Sequence, residues 1–260
     1  MSTTAEYVFG TAGDAVRTQQ RLLADAYDEV TRTRLIRTGV GAGWHCLDVG
    51  TGGGTVAAWL ADRVGPAGSV LATDLTRPAA ARGVTPLPHD ITRDPLPDNA
   101  FDLIVARLVL RHLPARDDVL GRLVRALKPG GLLQIDEFDT GCQPCLVAPS
   151  ASGRLLYQRF LRARDAVMAA AGVEGTYGRR VAEAMSAAGL VAVDAVPVVT
   201  LWRPGAPGLA LLAHTTHQLR AELLAAGMTA RDLTRVRALL AHPDFRASSS
   251  VLYSVQGRRP

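Results

Sequence analysis

The chain contains 260 residues, 48% hydrophobic and 20% charged, so it is long enough to bury the core of one α/β domain with additions. Its net charge of +5 does not indicate a nucleic-acid partner, because the arginines are scattered and form no stripe interleaved with aromatic residues. The sequence shows neither a signal-peptide pattern nor an apolar run of membrane-spanning length. We therefore expect a cytoplasmic protein without membrane association.

The first predicted elements are helical. Residues Ala12 to Gly39 carry apolar side chains at helical intervals, which predicts one or two amphipathic helices. From Trp44 to Phe138 strand-like and helix-like segments alternate, which predicts a parallel sheet with crossover helices. One crossover helix is expected from Asp117 to Leu127, with its apolar residues on one face.

A glycine-rich turn follows the first predicted strand. Residues Leu47 to Thr55 read LDVGTGGGT, and a helix-like segment, TVAAWLADRV, follows at once. Glycines let backbone N–H groups approach a ligand that a Cβ would push away. The dinucleotide pattern G-x-G-x-x-G needs glycine where Thr55 stands, so a NAD-dependent dehydrogenase is disfavoured. Asp48, two residues before Gly50, suits a ligand with an ammonium group better than a pyrophosphate.

Four later segments follow in an order typical of doubly wound sheets. They are Ser69 to Leu75 with Asp74 near its end, Leu87 to Ile91 with Asp90, Phe101 to Ala106, and Leu127 to Phe138 with a Lys-Pro-Gly-Gly turn. Structural interpretations exist for three of them. Asp74 alone fits a helix N-cap, Asp90 alone fits a turn residue, and Lys-Pro-Gly-Gly fits a helix stop and a turn. The order of Asp74 and Asp90 after the glycine turn favours ligand contact for both, whereas Lys-Pro-Gly-Gly supports the fold more than the chemistry.

Residues 40 to 140 resemble the class I S-adenosylmethionine-dependent methyltransferases in the glycine turn and in these four segments. More loosely, the EFD triplet at Glu137 to Asp139, the YGRR at Tyr177 to Arg180 and the N-terminal EYVFG resemble a bacterial small-molecule branch. The resemblance implies an α/β fold with a Rossmann-like, seven-stranded, mostly parallel sheet and helices on both faces. It also implies an N-terminal helix that covers the cofactor.

The resemblance implies S-adenosylmethionine as the cofactor, and it also implies which residues contact each part of that molecule. For the methionine moiety these are Asp48, Gly50, Thr51 and Gly52, with Arg107 at the methionine end; for the ribose, Asp74 and Leu75; and for the adenine, Asp90 and Ile91.

The C-terminal half is predicted to add helices around the last two strands. Helices are expected at Arg154 to Ala171, Arg179 to Ala188, Leu209 to Ala226 and Thr229 to Leu240, strands at Leu190 to Trp202 and Ser249 to Gln256, and a loop at Asp139 to Ser152. We therefore expect one domain, with an N-terminal helical cap (1–40), a cofactor-binding core (41–138) and helical lid insertions (139–178 and 205–244) over the ligand crevice.

The acceptor chemistry is predicted from few residues. Methyl transfer needs a general base only if the acceptor is a hydroxyl or a protonated amine. His112 and His217 are the candidate bases, although His112 also fits a structural histidine, and His214 and His217 also fit a solvent-facing pair. His214 and His217 are further expected to contact the acceptor, with Phe138 and Tyr157 as aromatic walls. Glu137 and Asp139 are expected to share a face and to bind a cationic acceptor.

The leading hypothesis is S-adenosylmethionine-dependent methylation of a small molecule, at oxygen, nitrogen or a carboxylate, in bacterial natural-product tailoring. The protein would be a monomer or a homodimer. No metal is predicted, and Cys142-x-x-Cys145 is expected to be a pair of free thiols in a loop. Two alternatives stay open: an enzyme that keeps the cofactor site but catalyses cyclisation or rearrangement, and a non-catalytic partner subunit that binds the cofactor.

Overall fold

The computed structural model describes Phe9, Gly10 and residues 13–260. The predicted N-terminal helix is confirmed as α1, Asp14–Ile36. Its expected first residue, Ala12, and residues 6–8 of the EYVFG segment lie outside the described residues.

The remaining elements follow along the chain in mixed order. The strands are β1 (His45–Val49), β2 (Ser69–Asp74), β3 (Val84–Pro88), β4 (Phe101–Arg107), β5 (Leu127–Asp139), β6 (Cys145–Val147), β7 (Val191–Val198), β8 (Leu201–Trp202), β9 (Arg246–Ser248) and β10 (Val251–Arg258). The helices after α1 are α2 (Thr55–Val64), α3 (Arg116–Ala126), α4 (Ala151–Ala170), α5 (Val181–Ala187), α6 (Pro207–Gln218), α7 (Arg220–Ala225) and α8 (Ala230–Leu240).

The chain divides into two compact units. The sheet unit comprises residues 27–139, 176–198 and 252–260. The helical unit comprises the described residues up to 26, together with 140–175 and 199–251. The continuous helix α1 contributes residues to both units.

The sheet unit is built on seven strands in the order β3-β2-β1-β4-β5-β10-β7. Strands β1 to β5 pair in parallel, and β7 pairs antiparallel with β10. This topology confirms the predicted Rossmann-like fold. The two edge strands contain proline, at Pro86 and Pro88 in β3 and at Pro197 in β7. An edge strand tolerates proline because, on its open side, no neighbouring strand needs the N–H that proline lacks.

Each face of the sheet is covered by helices. Along β4, Leu103 and Val105 pack with α2 and with Leu35 of α1, whereas Ile104 and Ala106 pack with α3 and α5. Alternate residues of a strand point to opposite faces, so one buried apolar strand supplies both cores. The carboxyl ends of the parallel strands are left to polar residues, which are described below.

The helical unit contains a second sheet that the sequence analysis missed. Its strand order is β6-β9-β8, and all pairs are antiparallel. The expected loop from Asp139 to Ser152 therefore contains a strand, and the expected strand from Leu190 to Trp202 ends at Val198 before β8 begins. Strands of two or three residues are too short to show a readable alternation.

Two helices also differ from their predictions. The segment from Leu209 to Ala226 is interrupted at Leu219, whose backbone leaves the helical conformation between α6 and α7. The segment from Arg179 to Ala188 begins with a 3₁₀ turn at Tyr177–Arg180 before α5. The Thr229 start is confirmed, because Thr229 and Asp232 form a reciprocal capping box at α8. Within the described part of the chain, no helix combines the length and apolarity needed to cross a membrane.

Candidate functional site

The glycine turn after β1 adopts the backbone conformation for which glycine is required. Gly50, Gly52 and Gly54 have φ angles of +63°, +53° and +75°. Between them, the N–H of Thr51 donates to the carbonyl of Thr73 at the end of β2 (3.0 Å). The turn therefore passes from β1 into α2 with little side-chain bulk, as a close backbone approach to a ligand requires.

Asp48 lies at the carboxyl end of β1 and is buried. Its Oδ2 accepts the hydroxyl of Thr51 at 2.6 Å. Burial raises the pKa of Asp48 to about 6, although the Thr51 hydroxyl and the charge of Arg107 oppose the shift. The Thr51 hydroxyl and the Ala57 N–H do not offset the burial of this carboxylate, and a cationic ligand group would stabilise its ionised form.

We expect Asp48→Asn to make the unliganded protein more stable at pH 7.5. The folded state holds the Asp48 proton more tightly than the unfolded chain, so ionisation disfavours the folded state as the pH rises through about 6. Removing that ionisation stabilises the fold by at most about 3 kcal/mol. Urea unfolding at pH 7.5 and pH 4.5 measures it. The advantage of the variant should shrink at the lower pH, and an equal advantage at both would contradict the assignment.

Asp74 closes the glycine turn from the end of β2. Its Oδ2 accepts the N–H of Gly52 (2.9 Å), and its Oδ1 accepts the N–H of Leu75 (2.8 Å). No helix follows Asp74 before β3, so the N-cap interpretation does not apply. Leu75 is 54% exposed. The carboxylate therefore holds the turn in place at the strand end where the ribose contact is predicted.

Asp90 forms a local turn after β3. Its Oδ1 accepts both the N–H and the hydroxyl of Thr92, at 3.0 and 2.6 Å. The turn interpretation that the sequence left open is thus observed. The neighbouring Ile91 is buried, and its carbonyl accepts from the guanidinium of Arg122 at 3.3 Å. Their contacts with an adenine remain a prediction.

Arg107 ends β4 and is fixed by α1. Its Nη1 donates to Oδ1 of Asp28 at 2.7 Å and lies 3.3 Å from the hydroxyl of Thr31. Asp28 also accepts from Arg32, one turn further along the helix. Sequence reasoning missed Asp28 and Thr31 because only the apolar face of α1 was considered. The i, i+4 pair of Asp28 and Arg32 was the available signal.

His112 ends the 3₁₀ turn Leu110–His112 that follows β4. Burial, with the nearby charge of Arg111, lowers its pKa to about 3. The imidazole is therefore uncharged near neutral pH, but it is a weak base because its conjugate acid is strong. Its predicted catalytic role is untested.

Glu137 and Asp139, the expected cation-binding pair, each have a partner within the chain. Both are buried at the end of β5. Glu137 accepts the N–H of Arg111 at 3.2 Å, and Asp139 pairs with Arg179 at 2.5 Å. The chain itself thus supplies a partner for each residue, and their contact with a cationic acceptor stays a prediction. Between them, half-buried Phe138 contacts the ring of Tyr27 edge-on, with a centroid distance of 5.0 Å.

Three predicted acceptor-site residues lie in the helical unit. Tyr157 of α4 is fully buried against the edge of Phe245, with ring centroids 5.2 Å apart. His214 and His217 both lie on α6. The Nε2 of His214 donates to the carbonyl of Ala15 (2.8 Å), whereas the side chain of His217 is exposed. Acceptor contacts by these residues are predictions that the geometry leaves untested.

The described cysteines and acidic residues form no metal-binding cluster. Cys46, Cys142 and Cys145 are free thiols. In the part of the chain that the structure describes, no group of three or more histidine, cysteine, aspartate or glutamate side chains is arranged to hold a metal ion.

Similarity to known sequences covers the region that carries this site. A family model described as a methyltransferase domain matches residues 47–135. The ubiquinone/menaquinone biosynthesis C-methyltransferase of Cupriavidus necator is 33% identical over 120 residues, which cover 42% of this chain and 49% of that protein. The enzyme of the same name from Pseudomonas putida is 32% identical over 114 residues, 39% of this chain and 44% of that protein. The chain thus spans about half the length of the curated relatives it matches.

Solved structures share the fold at low sequence identity. The YcgJ protein from Bacillus subtilis is 15% identical with a TM-score of 0.55, and the match covers 89% of this chain and 98% of that one. Phosphoethanolamine N-methyltransferase 2 of Haemonchus contortus, solved with S-adenosyl-L-methionine, is 16% identical with a TM-score of 0.53 and covers 94% and 56%. These matches show that the chain shares its overall fold with these proteins. The chain thus combines a sequence match to a methyltransferase domain over residues 47–135 with a seven-stranded, Rossmann-like fold.

Proposed function

We propose that this protein transfers the methyl group of S-adenosylmethionine to a small-molecule acceptor. The observation that carries the proposal is the glycine turn between β1 and α2, with Asp48 and Asp74 at the ends of adjacent strands and Arg107 at the end of β4. All of these residues belong to the sheet unit. Ligands of doubly wound sheets bind at the carboxyl ends of the strands, where these side chains converge.

The residues fit the cofactor in both shape and charge. Three positive-φ glycines leave the backbone open to close approach, and the poorly compensated carboxylate of Asp48 suits the ammonium of the methionine moiety. When bound, the cofactor supplies an activated methyl group on a sulfonium. The proposed contacts are the methionine moiety for Asp48, Gly50, Thr51, Gly52 and Arg107, the ribose for Asp74 and Leu75, and the adenine for Asp90 and Ile91.

We assign acceptor recognition to the helical unit. Its segments 140–175 and 199–251 include most of the proposed lid insertions 139–178 and 205–244. The sheet unit carries the matched family domain, residues 47–135, so the cofactor site is common to that family, whereas the family match does not extend to the helical unit. We further propose that the acceptor is a bacterial natural product.

The acceptor atom has two candidate classes. Oxygen, nitrogen or carboxylate acceptors follow from the sequence analysis. A carbon acceptor is favoured by the C-methyltransferase names of the relatives that match the chain. For every class the protein must align the acceptor with the methyl group and exclude water, and alignment alone can supply about 7–11 kcal/mol of the barrier.

A labelled-methyl assay tests the proposal. The purified protein is incubated with methyl-labelled S-adenosylmethionine and panels of phenols, amines, carboxylic acids and quinols, and the product is located by mass spectrometry. Label transfer with equimolar S-adenosylhomocysteine supports the proposal. Turnover without S-adenosylhomocysteine would indicate cyclisation or rearrangement, and tight cofactor binding without turnover would indicate a partner subunit.

We expect His217→Ala to lower turnover far more than it weakens cofactor binding, if the acceptor is a hydroxyl or an amine. Slight desolvation and the charge of Arg237 lower the pKa of His217, which favours the neutral imidazole that a general base requires. Loss of a general base costs roughly 10²–10⁴-fold in turnover. Initial rates at saturating cofactor measure the loss.

His242→Ala is the matched control for this experiment. His242 is a partly exposed histidine of the helical unit, and it lies beside Asp244 rather than on α6. If both variants keep full turnover, α6 supplies no base. Proton transfer would then belong to His112, or the acceptor would need none.

A further inference from the structure

A fully buried carboxylate supports the turn that follows β4. Glu137, the third-last residue of β5, has no exposed surface, and its Oε1 accepts the N–H of Arg111 at 3.2 Å. Among the described residues, its Oε2 makes no hydrogen bond of normal geometry. Burial raises the pKa of Glu137 to about 7, while the charge of Arg111 and the backbone amides of Val109 to Arg111 oppose the shift. Burying a carboxylate destabilises the folded state unless its contacts offset the loss of hydration, and the contacts of Glu137 are with the turn after β4.

The turn beside Glu137 is strained and needs support. Leu108, directly after Arg107, has a φ of +57°, which a branched side chain seldom adopts. Its N–H donates to the carbonyl of Asp136 at 2.9 Å. The next residues enter the 3₁₀ turn, where Glu137 accepts the N–H of Arg111. Two successive residues of β5 thus hold the two ends of this turn.

The same turn packs on the glycine turn of the cofactor site. A Cβ added to Gly50 would lie 2.5 Å from Cγ2 of Val109. Val109 therefore occupies the space that the missing side chain of Gly50 leaves. A shift of Val109 would change the surroundings of Gly50 directly, because packed groups transmit displacement.

We propose that Glu137 is a positioning residue for the cofactor site, which acts by holding Val109 against Gly50. It need not touch the cofactor or the acceptor. The inference rests on the proposed function, because it takes the glycine turn to be the cofactor site. It predicts that removing the carboxylate weakens cofactor binding while the chemical step on bound cofactor changes little.

Two substitutions of Glu137 test the inference. Glu137→Leu removes the acceptor for the Arg111 N–H, and we expect the dissociation constant of S-adenosylmethionine to rise about tenfold. Glu137→Gln keeps an oxygen acceptor, and we expect the constant to stay within about threefold of wild type. In both variants kcat at saturating cofactor should stay within about twofold. Wild-type affinity in folded Glu137→Leu, or an equal loss in both variants, would overturn the inference.

Asp102→Asn is the matched control. Asp102 also accepts a backbone N–H, that of His45, but at the amino end of β1. The Asp102→Asn protein should be less stable than wild type but should bind the cofactor with wild-type affinity. A loss of cofactor affinity equal to that of Glu137→Leu would overturn the specific role of Glu137. If Glu137→Leu does not fold, Val109→Ala replaces it, because this variant removes the side chain that packs on Gly50 and leaves Glu137 in place. Weaker cofactor binding by Val109→Ala supports action through Val109, and wild-type affinity overturns it.

Failure of this inference is distinguishable from failure of the proposed function. Wild-type protein that does not bind S-adenosylmethionine in calorimetry contradicts the proposed function itself. Wild-type binding that is lost in an Asp74 variant, but unchanged in the Glu137 variants, contradicts only the positioning role.

Discussion

Replacing Asp74 by alanine is expected to weaken S-adenosylmethionine binding by about 100-fold, as measured by calorimetry. A carboxylate at the end of the second strand accepts hydrogen bonds from ribose hydroxyls, and two such charge-assisted bonds account for a loss of that size. Asp74 also accepts the N–H of Gly52, so its removal releases the glycine turn. Both effects act on the cofactor site and in the same direction.

Asp102→Ala provides the comparison for Asp74. It likewise removes a carboxylate that accepts a backbone N–H, that of His45, and it also breaks the ion pair with Lys128. Its loss should therefore appear in the unfolding free energy rather than in cofactor affinity. An Asp74→Ala protein that binds the cofactor as tightly as wild type would remove the ribose assignment.

The parts of the sheet unit that were predictable have strong local signals. Helix α2 was predicted from Thr55 to Val64 and is observed with those bounds, because Gly54 and Gly65 mark both of its ends. The parallel strands are buried apolar runs bounded by turns, and their order follows from the alternation with helices. The glycine turn could be predicted because a positive φ at three positions selects one residue type.

Contacts between residues distant in sequence could not be predicted. Thr31 donates to Asp136 across 105 positions of the chain at 2.7 Å, and Arg107 pairs with Asp28. Each residue alone looks like an ordinary polar residue in a helix or at a strand end. The burial of Glu137 and its contact with the turn after β4 were missed for the same reason. Alternation along a strand predicts which face a side chain lies on, but it does not predict which residue that side chain contacts.

The last prediction concerns Gly50, whose replacement by alanine should destabilise the protein by about 2–5 kcal/mol. The left-handed φ of +63° costs an L-residue about 1–2 kcal/mol. The clash of the new Cβ with Cγ2 of Val109, 2.5 Å away, adds about 1–3 kcal/mol. Urea unfolding of the unliganded protein measures the sum, and cofactor affinity should fall with it because the turn must move.

Two comparisons separate these causes. Gly54 has a φ of +75°, but open space lies where its Cβ would be, so Gly54→Ala should cost only the conformational part, about 1–2 kcal/mol. In a Val109→Ala background the clash at Gly50 is relieved. Gly50→Ala should therefore cost about as much there as Gly54→Ala does, and less than it costs in the wild-type background. An equal cost of Gly50→Ala in both backgrounds would show that Val109 does not press on the glycine turn. The mechanism by which Glu137 is proposed to support the cofactor site would then lose its physical link.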